Sequence, residues 1–153
     1  TLYHSIPAPK FKSVMRILDH AAIFLLIAGT YTPFMLVNLR GPWGWSLLGA
    51  IWGLAAFGII FQTVLQRSWV VITVALYILM GWAVVIAIRP LLAVIPTEGF
   101  LLLLYGGLAY TLGTLFYISK QLRFHHAIWH VFVIAGSAFH FFAVVYYVLP
   151  GNN

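Results

Sequence analysis

Five long apolar runs, separated by short breaks that carry most of the charged residues, make up most of this chain. A helix that crosses a membrane needs roughly 20 mostly apolar residues. By that measure the runs predict five transmembrane spans, which we label A to E in chain order. Their approximate positions are 15–39, 43–62, 69–88, 97–119 and 125–149.

The pattern predicts an all-α fold, in which residues 1–153 form one polytopic bundle of transmembrane helices. A transmembrane β-barrel would instead show short segments with alternating apolar and polar residues. Residues 1–8 are too short to cross a membrane. Because Pro7 and Pro9 follow closely, we interpret this segment as the tail of a further span whose body precedes Thr1.

The composition supports a membrane protein, since 63% of the residues are hydrophobic and only 7% are charged. Soluble domains carry about 25% charged residues. The chain has no cysteine, which excludes disulfides and thiolate metal ligands within it. Its net charge of +6 comes from eight basic and two acidic residues. In a membrane protein such charges report orientation and lipid contact, so we expect membrane lipids and no nucleic acid as partners.

The basic residues also predict the orientation, because cytoplasmic loops of membrane proteins are enriched in lysine and arginine. Six of the eight lie before span A or in the B–C and D–E loops, which share one side. Only Arg40 and Arg89 lie on the other side. We therefore expect span A to begin in the cytoplasm and the C-terminus to face outward. The six residues are Lys10, Lys12, Arg16, Arg67, Lys120 and Arg123.

The segment His126-Ala127-Ile128-Trp129-His130 near the start of span E carries the clearest chemical signal. Residues i and i+4 of a helix lie on one face, so the two imidazoles can bind one metal ion. His4 and Asp19 flank the first cytoplasmic linker, whereas His126 and His130 follow the last cytoplasmic loop. The alternation of spans therefore places all four residues at a similar depth, near the cytoplasmic leaflet.

Three neutral imidazoles and one water form a catalytic type of zinc site. His4, His126 and His130 can supply the imidazoles. Asp19 would hold the water or accept its proton, or it would orient a ligand histidine. The segment is not an HExxH motif, because Ala127 follows the first histidine.

Spacing alone leaves open a metal site and ordinary core packing for the histidine pair, although an ionisable group inside a span favours function. His140 lies about 15 Å along the helix from His130, too far to share an ion, and we interpret it as a satisfied interior histidine. We interpret His20 and His125 as structural or solvated.

Other features of the spans predict packing rather than chemistry. Thr32-Pro33 inside span A should kink the helix, with neighbouring hydroxyls bonding the freed carbonyls. Gly49-x-x-x-Gly53 in span B and Gly106-Gly107 in span D should allow close helix contacts.

Several motifs occur in this order along the chain: Leu2-Tyr3-His4, Leu18-Asp19-His20, Ala28-Gly29-Thr30-Tyr31-Thr32-Pro33-Phe34, Tyr110-Thr111-Leu112-Gly113, and His126-Ala127-Ile128-Trp129-His130 through Gly136-Ser137 and His140. In these motifs the chain resembles the hemolysin III proteins, the bacterial branch of the progestin and adipoQ receptor family. The resemblance covers essentially the whole chain.

The resemblance implies seven spans in a bacterial plasma membrane, of which this chain would hold the tail of the second and all of spans three to seven. It also implies a Zn²⁺ site with His4, His126 and His130 as ligands, and a functional aspartate at Asp19. A family serine four residues before the first histidine would precede Thr1. The wider superfamily includes alkaline ceramidases, and the receptor branch is similar to lipid amide hydrolases.

Three functions follow as hypotheses. The first is a zinc-dependent hydrolase of lipid amide or ester bonds, with Asp19 as the catalytic acid–base residue. The second is a non-enzymatic protein of membrane homeostasis or signalling, in which zinc joins two spans. The third, a cytolysin or channel, ranks last because the outer halves of the spans are largely apolar. The substrate and the oligomeric state do not follow from the sequence.

Overall fold

The computed structural model describes the backbone of residues 9–65, 70–119 and 121–149, and the side chains of residues 14–64, 71–119 and 121–149. Within these ranges, five helical stretches are long and apolar enough to cross a membrane. The prediction of an all-helical bundle with five visible spans is therefore confirmed. The stretches are Val14–Asn38, Pro42–Val64, Val71–Val94, Thr97–Ile118 and His125–Tyr147.

Two of the five stretches change their helical type within the membrane. A π-helix at Phe34–Asn38 completes the first stretch, and a 3₁₀-helix at Ala83–Ala87 interrupts the third. The α-helices are α1 (Pro9–Pro33), α2 (Pro42–Leu65), α3 (Val70–Trp82), α4 (Ile88–Val94), α5 (Thr97–Ile118) and α6 (His125–Tyr147).

The helices pack as two main pairs, with α1 against α2 and α5 along α6. Helix α3 contacts α1, α2 and α5 and so joins the pairs. The buried core includes Phe24 and Ala28 of α1, Ile51 of α2, and Met80 of α3, each fully buried. Because lipid gives apolar helices little reason to associate, close packing of such side chains carries much of the association energy.

The change from α- to π-helix lies directly after Pro33, where the Thr32-Pro33 pair predicts a disturbance. Pro33 has no N–H to donate to the carbonyl of Gly29, one turn earlier. The adjacent hydroxyls bond other carbonyls and not the freed one of Gly29: Thr32 Oγ1 donates to Ala28 at 2.9 Å and Thr30 Oγ1 to Ile27 at 2.8 Å. Span A thus continues past its proline.

The expected end of span C near residue 88 is wrong, because the helical stretch continues to Val94 through Arg89 and Pro90. The sequence pattern treats Arg89-Pro90 as a break. Helix α4 begins at Ile88, so Pro90 is its third residue. The first N–H groups of a helix have no partner within it, and a proline there forfeits no hydrogen bond. The side chain of Arg89 is exposed.

Tyr31 of α1 satisfies the backbone where α3 gives way to the 3₁₀-helix. Its hydroxyl donates to the carbonyl of Gly81 at 2.7 Å and accepts from the N–H of Val84 at 3.0 Å. The side chain is 8% exposed. Irregular backbone inside a membrane persists only where protein or water satisfies its polar groups, and here one tyrosine bonds two of them.

Only part of the glycine pattern makes close helix contacts. A Cβ at Gly106 would overlap the ring of His140, in agreement with the prediction, but a Cβ at Gly49, Gly53 or Gly107 would have no neighbour within 4 Å among the described residues. The close contact of α2 with α1 lies instead at Gly58, where a Cβ would overlap the ring of Phe24.

We expect Tyr31→Phe to destabilise the protein by about 1–3 kcal/mol, because it leaves the carbonyl of Gly81 and the N–H of Val84 without this partner. Thermal unfolding of the detergent-solubilised protein measures the effect. Tyr105→Phe is the matched control, since the Tyr105 side chain is 49% exposed. An equal change in both variants would contradict the role assigned to Tyr31.

A second pair of variants tests the helix contact at Gly58. Gly58→Ala should cost about 1–3 kcal/mol of stability, because the fully buried ring of Phe24 cannot move aside easily. Gly53→Ala, five residues earlier on the same helix, meets nothing within 4 Å and should be neutral or slightly stabilising. Denaturant unfolding of both proteins in the same detergent would show the difference, and equal stabilities would refute the packing.

Candidate metal centre

The histidine pair lies in the first two turns of α6. The helix begins at His125, directly after Phe124, which has a left-handed backbone with φ of 64°. His126 and His130 then lie one turn apart on the same face, as their spacing predicts. Their Nε2 atoms are 3.0 Å apart, and their rings are nearly perpendicular at 82°.

Asp19 of α1 completes the cluster from across the bundle. One carboxylate oxygen lies 3.7 Å from Nε2 of His126, and the other lies 3.7 Å from Nε2 of His130. The side chains are 32% exposed for Asp19, 49% for His126 and 42% for His130. The sequence therefore correctly predicts that residues over 100 positions apart share one depth.

The cluster has the size that a tetrahedral metal ion requires. Zinc lies about 2.0–2.2 Å from nitrogen and oxygen ligands, so two of its ligand atoms are about 3.3 Å apart. The two Nε2 atoms are 3.0 Å apart, and each lies 3.7 Å from a different oxygen of Asp19, so these distances lie on either side of that value. The ligand atoms of Asp19, His126 and His130 all lie within 4.8 Å of one another and form a group able to hold a metal ion.

The carboxylate of Asp19 faces the same nitrogens that would bind the ion. Its distances of 3.7 Å exceed those of a hydrogen bond, so it does not orient either ring through Nε2. A carboxylate that orients a ligand histidine bonds the ring nitrogen that faces away from the metal. The geometry therefore favours Asp19 as a ligand or as a holder of water, and disfavours the orienting role.

His4, the third predicted ligand, lies outside the described residues, so its place in the site stays a prediction. The other described histidines, His20, His125 and His140, are not part of the group of convergent ligand atoms. Among the described residues, Nε2 of His140 has one hydrogen-bond partner, the carbonyl of Leu103 at 3.2 Å. A carbonyl only accepts, so Nε2 is the donor. Its Nδ1 and that of His125 are buried without a partner among the described residues. The prediction of a satisfied His140 thus holds for one of its two nitrogens.

Tyr117 and Trp129 form the inner wall of the cluster and were not predicted. The ring centroid of Tyr117 lies 6.1 Å from that of His126 and 5.5 Å from that of Trp129. Trp129 is 2% exposed. Tyr117 stands three positions before Lys120, at the cytoplasmic end of span D by the orientation argument. The depth reasoning that groups Asp19 with the histidines could also have found Tyr117.

Two adjoining cavities of about 90 and 50 Å³ lie inside the bundle. The smaller one reaches Trp129 and Val133 on α6. The larger one reaches the π-helix at Phe34 and Met35. Most of the lining is apolar. The two cavities share six lining residues, Thr30, Tyr31, Gly81, Trp82, Gly107 and His140.

The fold and the cluster define a polytopic helical membrane protein with an aspartate and two histidines gathered at one end of its bundle. Comparison with known proteins gives the family. The model of the haemolysin-III-related family matches residues 1–141. The chain belongs to this family, as its motifs predict.

Two bacterial relatives match nearly the whole chain. Hemolysin-3 of Bacillus cereus is 53% identical over 98% of this chain and 68% of its own length. The Hemolysin-3 homolog of Bacillus subtilis (strain 168) is 48% identical over 96% of this chain and 69% of its own length. The human monocyte to macrophage differentiation factor is 31% identical over 85% of this chain and 54% of its own length. No solved structure matches the chain.

We expect His130→Ala to abolish stoichiometric metal binding, because it removes one of the two imidazoles that face Asp19. Metal content of the purified protein, by plasma mass spectrometry after dialysis, is the measurement. His140→Ala is the matched control on the same helix, and it should retain the metal. Full metal content in His130→Ala, or loss in both variants, would contradict the assignment of the centre.

Proposed function

We propose that this protein is a zinc-dependent hydrolase of lipid amide or ester bonds, with its centre in the cytoplasmic half of the membrane. His4, His126 and His130 would hold the ion, and Asp19 would act on the attacking water. The single observation that carries the proposal is the carboxylate of Asp19, 3.7 Å from Nε2 of both α6 histidines.

The donor set supports zinc, because imidazole nitrogen and carboxylate oxygen are its common protein ligands besides thiolate. Other divalent metals also accept such ligands, so the family resemblance adds to the case. Basic residues support the cytoplasmic placement: Arg16 lies three positions before Asp19, and Arg123 lies three positions before His126.

Bound zinc would polarise the substrate carbonyl and make the attacking water more acidic. Asp19 would accept a proton from that water and return it to the leaving amine or alcohol as the carbonyl–heteroatom bond breaks. Its side chain is one-third exposed, so water can reach the carboxylate. The same residue would thus serve first as base and then as acid.

The surroundings of the cluster support a lipid substrate. The smaller apolar cavity is lined by Trp129 and Val133, which lie near His130 along α6, and together with the adjoining cavity it can admit part of an alkyl chain. The exposure of His126 and His130 leaves the cluster open to a headgroup or linkage carbonyl from the adjacent leaflet. The apolar lining also disfavours a continuous ion path, as a channel would require.

A structural zinc clasp is the second candidate, and one observation favours it. Helix α1 packs mainly against α2, and α6 packs mainly against α5, so an ion shared by Asp19 and the two histidines would join these pairs. In that case the protein would act in membrane homeostasis or signalling without turnover.

Metal content and lipid hydrolysis, measured together on the parent and on Asp19→Asn, separate the two functions. We expect zinc in both proteins and turnover of ceramides or other acyl lipids by the parent. Asp19→Asn should be slower by about 10²–10⁴-fold, the usual contribution of a positioned acid–base group. Glu98→Gln changes the other acidic residue, which lies exposed in the first turn of α5, and should keep full activity.

Zinc in both proteins with turnover in neither would support the clasp and contradict the hydrolase. In the clasp case, His126→Ala and Asp19→Asn should both lower the thermal stability, because each removes a ligand that joins the helix pairs. A parent protein without zinc would contradict both candidates.

A further inference from the structure

The two halves of the metal cluster come from helices that pack mainly against other partners. Asp19 belongs to α1, which lies against α2, and the two histidines belong to α6, which lies against α5. A metal ion tolerates ligand displacements of only a few tenths of an ångström. A contact between these helix pairs is therefore needed to hold Asp19 opposite the histidines before the metal arrives.

Helix α5 is fixed to α6 by several contacts close to the cluster. The rings of Phe116 and Phe132 stack with centroids 5.1 Å apart. A Cβ at Gly113 would press against Phe132 and Trp129, so the helices approach closely there. A group on α5 near this point therefore moves with the histidines of α6.

His20, the neighbour of Asp19 in the chain, provides the connection on the α1 side. It is 8% exposed, and its Nδ1 lies 2.6 Å from the carbonyl of Arg16. A carbonyl only accepts, so Nδ1 carries the hydrogen, and Nε2 of the neutral ring is an acceptor. The Tyr117 hydroxyl, 2.9 Å from Nε2, therefore donates to it across 97 positions of sequence.

The backbone of His20 is held as well. The hydroxyl of Tyr77 on α3 donates to the His20 carbonyl at 3.1 Å. His20 is thus bonded by its own helix, by α3 and by α5. Because Asp19 is the adjacent residue in the chain, these bonds also hold its backbone in place, while its carboxylate is directed into the open cluster.

The ring of Tyr117 packs against the other half of the cluster. The ring lies against His126 at 6.1 Å and against Trp129 at 5.5 Å, centroid to centroid. Its hydroxyl reaches His20 at the same time. One side chain therefore touches a predicted ligand on α6 and the neighbour of Asp19 on α1.

We propose that Tyr117, bonded to His20, is a positioning residue that sets Asp19 opposite His126 and His130. The inference rests on the metal centre proposed above and assigns a role to a residue outside its ligand set. Without the Tyr117–His20 bond, α1 would keep its bonds to α3 but lose its direct bond to α5, and the three ligand atoms would converge less closely on one point. Residues that orient metal ligands from outside the set contribute about 10–100-fold in affinity.

Tyr117→Phe tests the proposal, because it removes the hydroxyl and keeps the ring that packs on His126 and Trp129. The affinity of the full-length protein for Zn²⁺, measured by chelator competition, should fall about 10–100-fold. The visible absorption of the Co²⁺-loaded protein should also change, since it reports ligand geometry. A variant that is merely less stable would leave this spectrum unaltered.

Tyr110→Phe is the matched control on α5. The Tyr110 hydroxyl bonds Ser137 of α6 at 2.9 Å, so its loss weakens a contact inside the α5–α6 pair and leaves the connection to α1 intact. We expect its Zn²⁺ affinity to stay within about twofold of the parent. Should Tyr117→Phe fail to fold, His20→Phe keeps a ring in the same place, removes the nitrogen that accepts from Tyr117, and should give the same loss.

The outcomes separate the proposals. A parent that binds no Zn²⁺ would overturn the metal centre itself. A parent that binds Zn²⁺, together with Tyr117→Phe or His20→Phe variants of equal affinity and unchanged Co²⁺ spectrum, would overturn only the positioning role. If both variants fold, the double variant should bind Zn²⁺ no more weakly than the single variant of lower affinity, because both substitutions remove the same bond.

Discussion

The structure depends on one constraint: a polar group inside a membrane must find its partner within the protein, because hydrocarbon offers none. Tyr31 meets this requirement at the interrupted third span, where its hydroxyl bonds a carbonyl and an N–H of the backbone. Beside Pro33, the Thr32 hydroxyl bonds a backbone carbonyl of its own helix, and the Tyr117 hydroxyl bonds the ring of His20. These hydroxyl groups therefore do more than fill space. Each one holds a turn of its own helix or joins its helix to a neighbour.

The cluster of Asp19, His126 and His130 is an exception that points to function. Its side chains are one-third to one-half exposed, and the two imidazoles have each other and a carboxylate as neighbours. Polar groups that were only structural would be expected to resemble His20, which is buried with both ring nitrogens bonded. A group of three convergent ligand atoms left open in this way is suited to bind something from outside the chain.

The hydrolase and the clasp use the same three residues and differ in what Asp19 does. As an acid–base residue it must keep contact with water, which its exposure allows. As a clasp ligand it would only connect two helix pairs. In both cases the position of α1 relative to α6 determines the site, and that position depends on α5 and its tyrosine.

The apolar runs determined the class of fold, because the thickness of a bilayer sets the length of a span regardless of tertiary contacts. Alternation of the spans and the helical i, i+4 rule were enough to group Asp19 with His126 and His130. The motifs were enough to indicate the family. Sequence patterns did not locate the real end of span C, since whether Pro90 breaks a helix depends on where the next helix begins.

Only the tertiary structure decided which glycines make contacts, because Gly53 and Gly58 share one apolar helix and differ only in what lies opposite. The same holds for His20 and Tyr117. Their bond joins positions 97 residues apart, and nothing local to either residue reveals the rotation of α1 against α5 that brings them together. Periodicity along a chain determines which residues share a face, whereas the packing of helices determines which faces meet.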